Sequence, residues 1–282
     1  MALPTNDSTP NTKSSALEAL SQGTTALPGI PQFTDIEKQR AYMLNHMVGA
    51  FRVFARQGFV EGLAGHISLR DPEFPDRFWT NPLGLHFALI TPSDLILVNE
   101  EGIAVGGNTS RPANKAGFLI HSAIHKIRPD VNAACHFHSP YGKAWSAFAQ
   151  PLEMLNQDVT AFYGAAQSVY GEFGGVVLKR EESDALAKSL GQGKGLILRN
   201  HGLLTVGGTV DEAAYLFLLM ERSCQIQLAV DAAVAAGRKK VYVDDESAKF
   251  TYESSDPESL FAEFQVYLQY ESAVSHDGYK AI

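Results

Sequence analysis

The sequence predicts an α/β domain built on a mixed or antiparallel sheet, and three observations carry that prediction. Segments with the two-residue alternation of strands are interspersed with segments of helical period. Ser/Thr-x-x-Glu boxes mark helix starts, and Gly and Pro clusters break the chain between elements. The 282 residues are 45% hydrophobic and 19% charged, a globular balance over a length that can bury a core without disulfide staples.

Residues 1–33, rich in Ser, Thr, Pro and Asn, are expected to form a flexible N-terminal arm. Residues 34–240 are expected to form the domain, and 241–282 a C-terminal extension with a helix. Thr34-Asp35-Ile36-Glu37 reads as a capping box, followed by Met43, Met47, Phe51 and Phe54 at helical spacing and Gly58 as a stop. Gly65-His66-Ile67-Ser68-Leu69-Arg70 alternates like a strand. His86 to Thr91 and Leu95 to Val98 read as two more, together a meander. A helix is predicted over 114–127, stopped by Pro129, and a strand over 131–138. Short β segments are expected within 164–178, then a helix over 181–190. Two apolar strands, 196–198 and 203–206, flank Asn200-His201-Gly202. Thr209-x-x-Glu212 opens a long helix to Gly237, and Asp256-Pro257-Glu258 caps a last one to about Tyr270.

The charge of −8 argues against counterion-releasing contacts with nucleic acid and against a polybasic membrane surface. Two cysteines, Cys135 and Cys224, do not make a disulfide framework, and no apolar run reaches the ~18 residues of a membrane span. The expected setting is the cytoplasm, with a small-molecule substrate and no nucleic-acid or membrane partner.

Chemistry concentrates in nine histidines. In His136-Phe137-His138 the two imidazoles project to one side of a strand, about 6.5–7 Å apart along the chain, where they can converge on one metal ion. Cys135 and Phe137 then face packing. His201, at a strand-end turn, is a third candidate, and three neutral imidazoles with an open fourth position make a catalytic-type zinc site. Spacing alone leaves open whether His201 meets the pair. His121 and His125 have the i,i+4 spacing of a zincin helix, but Ser122 stands where that motif needs Glu. We read His121 as facing the core near the site and His125 as an edge residue. His46 and His276 read as incidental. No G-x-S-x-G or Walker loop occurs.

Six stretches, in order, resemble the class II aldolase/adducin family. They are Gly65 to Arg70, Thr91-Pro92-Ser93-Asp94-Leu95, Ala116 to Ile124, Arg128-Pro129-Asp130-Val131-Asn132, His136-Phe137-His138-Ser139-Pro140 and Arg199 to Gly207. The resemblance implies a three-layer α/β/α fold with a central, largely antiparallel sheet. It also implies a divalent metal, most often Zn2+, on His136, His138 and His201, and a homotetramer with sites near subunit interfaces. In the family's aldolases the metal stabilises an enediolate by Lewis-acid polarisation. Their catalytic Glu falls at Gly117 here, so that role does not carry over.

The family's phosphate-binding pattern is also altered, because His66, Asp94 and Lys115-Ala116 replace its expected residues. We therefore place His66, Ser68, Ser93 and Lys115 on the substrate side, with His66 or Lys115 available to an anion. Asp158, in Asn156-Gln157-Asp158, is the expected proton-transfer residue, by resemblance to the family's methylthioribulose-phosphate dehydratases. Tyr163 and His121 are further catalytic candidates. The expected function is a metal-dependent lyase of aldolase, retro-aldolase or decarboxylase type. A family epimerase or dehydratase, or a non-catalytic adducin-head-like binding module, is the alternative.

Overall fold

The computed structural model describes residues 16–23, 25–177, 179–278 and 280. Among them, eight strands form one sheet: β1 (His66–Arg70), β2 (Arg77–Thr80), β3 (Ile96–Asn99), β4 (Ala104–Gly107), β5 (Ala133–Phe137), β6 (Gln167–Tyr170), β7 (Gly195–Leu198) and β8 (Gly202–Gly207). Their spatial order is β4-β3-β2-β1-β5-β8-β7-β6. Every neighbouring pair is antiparallel except β6 and β7, so the sheet is largely antiparallel, as expected.

Eight α-helices accompany it among the described residues: α1 (Ala16–Leu20), α2 (Ile36–Arg56), α3 (Lys115–Ile127), α4 (Pro140–Ser146), α5 (Arg180–Leu190), α6 (Val210–Ala235), α7 (Asp245–Ser254) and α8 (Pro257–Ser275). Strand alternation sorts the side chains into the two cores of a three-layer fold. Ile67, Leu69, Ala133, Cys135, Phe137, Ile197 and Leu203 pack with Phe51 and Phe54 of α2, Phe217 of α6 and Phe264 of α8. On the opposite face Ala134, Leu196, Leu198, Leu204 and Val206 pack with Ile120 and Ile124 of α3 and Leu186 and Leu190 of α5.

Phe137 is fully buried, with ring centroids 4.6 Å from Phe54, 5.3 Å from Phe217 and 5.3 Å from Phe87. Gly65, at φ +95°, brings the chain so close that a Cβ there would run into the Phe137 ring. The aromatic cluster thus sets the start of β1, and through it His66.

Several boundaries differ from the sequence reading. Asp35, not Thr34, caps α2, accepting from the backbone N–H of Glu37 and Lys38, because it is the extended residue directly before the first helical turn. The segment 86–91 is not a strand. His86 caps a 3-10 turn at Phe87–Leu89, and Pro92–Asp94 forms another. Strands β2 and β4 and helices α4 and α7 had no strong periodic signal, being only 4 to 10 residues long. Of the expected N-terminal arm, residues 1–15 lie outside the described residues. The rest carries α1 with Leu17 buried, and Ile30 donates its N–H to Glu258 of α8. The C-terminal extension is likewise part of the core through Leu260, Phe264 and Leu268. No helix among the described residues is long and apolar enough to cross a membrane.

Truncating Phe137 removes the centre of the aromatic cluster. Phe137→Ala is expected to cost roughly 3–5 kcal/mol, read as a lower denaturant midpoint at unchanged m. An unchanged midpoint would contradict this packing.

Candidate metal centre

The register of β1, β5 and β8 gathers the histidines. His66 lies directly opposite His136 across β1 and β5. Alternation then puts both on the α3 side of the sheet, away from Cys135 and Phe137. His138 follows the end of β5, and His201 sits in the turn between β7 and β8, after Asn200 in the left-handed region at φ 56°. Gly202 has its backbone so near the Phe137 carbonyl that a Cβ would lie 2.8 Å from that oxygen. This close approach brings the turn onto β5.

The ring centroids are 4.7 Å apart for His136 and His201, 4.8 Å for His138 and His201, and 5.2 Å for His136 and His138. One ring nitrogen of each lies within 4.8 Å of the other two. His136 donates Nδ1–H to the Leu203 carbonyl at 2.8 Å, which leaves its Nε2 bare. Burial, and then the neighbouring His201, hold His136 well below its ordinary value. Burial lowers His201 to about 4 and also lowers His138. Neutral imidazoles with one oriented lone pair fit a borderline divalent cation.

The surroundings brace this group. Glu221 of α6 accepts from Ser139 Oγ and from the backbone N–H of Tyr141 and Gly142, fixing the chain just after His138. Glu61 and Lys143 form an ion pair whose charges act on His138. Neither feature stood out in the sequence, because each joins residues distant in the chain.

His66 and His121 lie behind the three, with ring centroids 4.3 Å apart, and His66 is 5.1 Å from His136. Both are buried. A Cβ on Gly117 would run into Nε2 and Cδ2 of His66, so the His66 ring stands where a side chain at 117 would begin.

Ser68 is fully buried, bonded to His121 Nδ1 at 2.8 Å and His125 Nε2 at 2.7 Å, so it faces the interior behind these rings. His125 is therefore not an edge residue. It is buried, it bonds to the Val131 carbonyl, and its ring stacks on Phe78 at 4.5 Å. The signal for it was the Gly117, His121, His125 spacing of one helix face. His46 pairs with Asp211 at 2.7 Å, and His276 is the left-handed cap of α8.

Ser93 sits in the Pro92–Asp94 turn and bonds to Thr91. It lines a separate cavity of about 600 Å³ with Trp79, Asn108 and Ser110. Asp94 accepts from Thr91, which turns its charge onto its own turn. Lys115 is exposed at the first turn of α3. Asp158 is exposed at the start of a 3-10 turn (Asp158–Phe162) that packs on α6 and α7, where its charge acts on Tyr215. Tyr163 caps that same turn. The histidine contacts described above include neither Asp158 nor Tyr163.

This arrangement has counterparts among known proteins. The profile of the class II aldolase and adducin N-terminal domain matches residues 45–228. The chain belongs to the class II aldolase/adducin family. Its relatives include the meiotically up-regulated gene 14 protein of Schizosaccharomyces pombe, 46% identical over 88% of this chain and 96% of the relative. Decarboxylase NovR of Streptomyces niveus is 44% identical over 72% of this chain and 75% of its own. A solved L-fuculose 1-phosphate aldolase from Glaciozyma antarctica superposes with a TM-score of 0.82 at 42% identity, covering 89% of this chain and 97% of that one. Class II aldolases are typically metal-dependent, and the three histidines fit that chemistry.

Burial lowers His125 to about 3, with the nearby Arg70 charge adding to it. In the unfolded chain the ring titrates near its usual ~6.5, so between these values the unfolded state binds more protons. Stability should therefore fall as pH drops below about 6.5, with a limiting slope near 1.4 kcal/mol per pH unit for each such histidine. Urea midpoints at pH 7.5 and pH 5 read this. Equal midpoints would contradict the buried, neutral state.

Proposed function

We propose that this chain is a metal-dependent lyase that breaks a carbon–carbon bond in a small oxygenated acid, releasing CO2. The observation that carries the reading is the pairing of the three-histidine group with a glycine at 117. A bound divalent ion, which we take to be zinc, supplies Lewis-acid stabilisation of negative charge on substrate oxygens beside the breaking bond. A retro-aldol cleavage also needs a group that takes the proton of the substrate hydroxyl, and position 117 offers no carboxylate for it. In a decarboxylation the carboxylate leaves as CO2, the bonding pair stays on the remaining carbon, and a proton then reaches that carbon from water or a nearby donor. The similarity to a decarboxylase from Streptomyces niveus supports this choice.

His136, His138 and His201 would hold the ion. His66 occupies the space beside Gly117 and would meet the substrate. Lys143, next to His138, offers a cation to a carboxylate. We further take the chain to assemble as a homotetramer, as the family resemblance implies.

The purified protein should carry about one divalent ion per chain, and His136→Ala should lose it, by elemental analysis. The metal-loaded protein should release CO2 from members of a panel of small 3-oxo acids, with and without a 2-hydroxyl, in which the bonding pair passes onto the 3-oxo oxygen as an enolate, with release abolished in His136→Ala. Stoichiometric metal retained in that variant would overturn the ligand assignment. Aldehyde release without CO2 would overturn the decarboxylase reading.

A further inference from the structure

The hydrogen bonds behind the three histidines can run in one direction only. The Val131 carbonyl accepts, so His125 donates Nδ1–H to it at 3.1 Å. A neutral imidazole protonated at Nδ1 has a bare Nε2. Ser68 therefore donates its Oγ–H to His125 Nε2, at 2.7 Å. Having given its proton, Ser68 Oγ accepts, and His121 donates Nδ1–H to it at 2.8 Å. The sequence of bonds ends on His121 Nε2, a bare lone pair that is buried with no hydrogen-bond partner among the described residues. Buried polar atoms are almost always satisfied, so this orphan marks a place where a donor arrives.

The group set against it is His66. The two rings stand at 62°, with centroids 4.3 Å apart. The His66 ring makes no hydrogen bond to another described residue. Its Nε2 edge lies against α3 at Gly117, one turn before His121 on the same helix face.

We propose that His125, Ser68 and His121 are positioning residues for His66. The bare His121 Nε2 accepts a hydrogen bond from Nε2–H of His66 when a ligand settles in the centre, which holds His66 in the tautomer whose bare Nδ1 can accept from a hydroxyl of that ligand. Gly117 belongs to the device, because any side chain there would displace the His66 ring. The identity of the ligand as a small oxygenated acid at a metal centre rests on the reading above; the tautomers do not.

The test is the ring-nitrogen NMR of 15N-histidine-labelled, metal-loaded protein, with glycolohydroxamate, a chelating mimic of an enediolate, as the probe. His121 should be protonated at Nδ1 and bare at Nε2. With the hydroxamate bound, His66 should be protonated at Nε2 and bare at Nδ1. Ser68→Ala should lose the single His121 tautomer and weaken hydroxamate binding about tenfold, the worth of one hydrogen bond, at unchanged metal content. Ser68→Thr, which keeps the hydroxyl, should restore both. A merely structural Ser68 would lower stability without moving the affinity of the folded protein.

His121 protonated at Nε2 in the wild type overturns the proposal, and this needs no variant to fold. So does wild-type hydroxamate affinity in folded Ser68→Ala, or a metal-loaded wild type that binds no hydroxamate. A wild type that holds no metal instead sinks the lyase reading, while the His121 tautomer still decides the relay.

Discussion

The site depends on a match of two periods. Along β1 every second residue, His66, Ser68 and Arg70, faces α3, advancing about 6.6 Å per step. Along α3 every fourth residue, Gly117, His121 and His125, faces β1, advancing about 6 Å. The two stripes stay in step over their whole contact. His66 stands over Gly117, Ser68 bonds to both His121 and His125, and Arg70 donates to the His125 carbonyl at 3.0 Å. A one-residue slip of β1 would send His66 and Ser68 into the aromatic core and turn Ile67 and Leu69 toward α3.

That register carries over to the proposed ligands. His66 and His136 are opposite one another, so the stripe on β1 ends against the first of the three metal-candidate histidines. The other face of the same strands supplies Ile67, Leu69, Cys135 and Phe137 to the larger core. Packing on one side therefore sets geometry on the other. Burial does the remaining work. It keeps His66, His121, His125 and His136 in their neutral forms, in which a ring nitrogen can be a lone-pair donor.

Much of this was legible in the sequence, because alternation and capping are local. His136-x-His138 on one side of a strand, Cys135 and Phe137 on the other, the helix over 114–127 and the long helix after Thr209 all follow from period and cap chemistry. The family resemblance added the layered fold and the joining of His201 to the pair. What escaped was non-local. Nothing in the segment 86–91 distinguished a His-capped 3-10 turn from a strand. The burial of His125 depends on β1 lying beneath it, and the tie from Glu221 to the chain after His138 spans 79 to 82 residues. Asp158 is expected from the family resemblance, and folding packs the turn it opens against α6 and α7. The glycine at 117 was read as a loss. In the structure it is the room that His66 fills.

One ion held by three imidazoles is the central proposal for this site, and X-ray absorption at the metal edge of the purified protein tests that most directly. It predicts three imidazole nitrogens in the coordination shell, falling to two in His201→Ala. An oxygen-only shell, or an imidazole count unchanged in that variant, would contradict it.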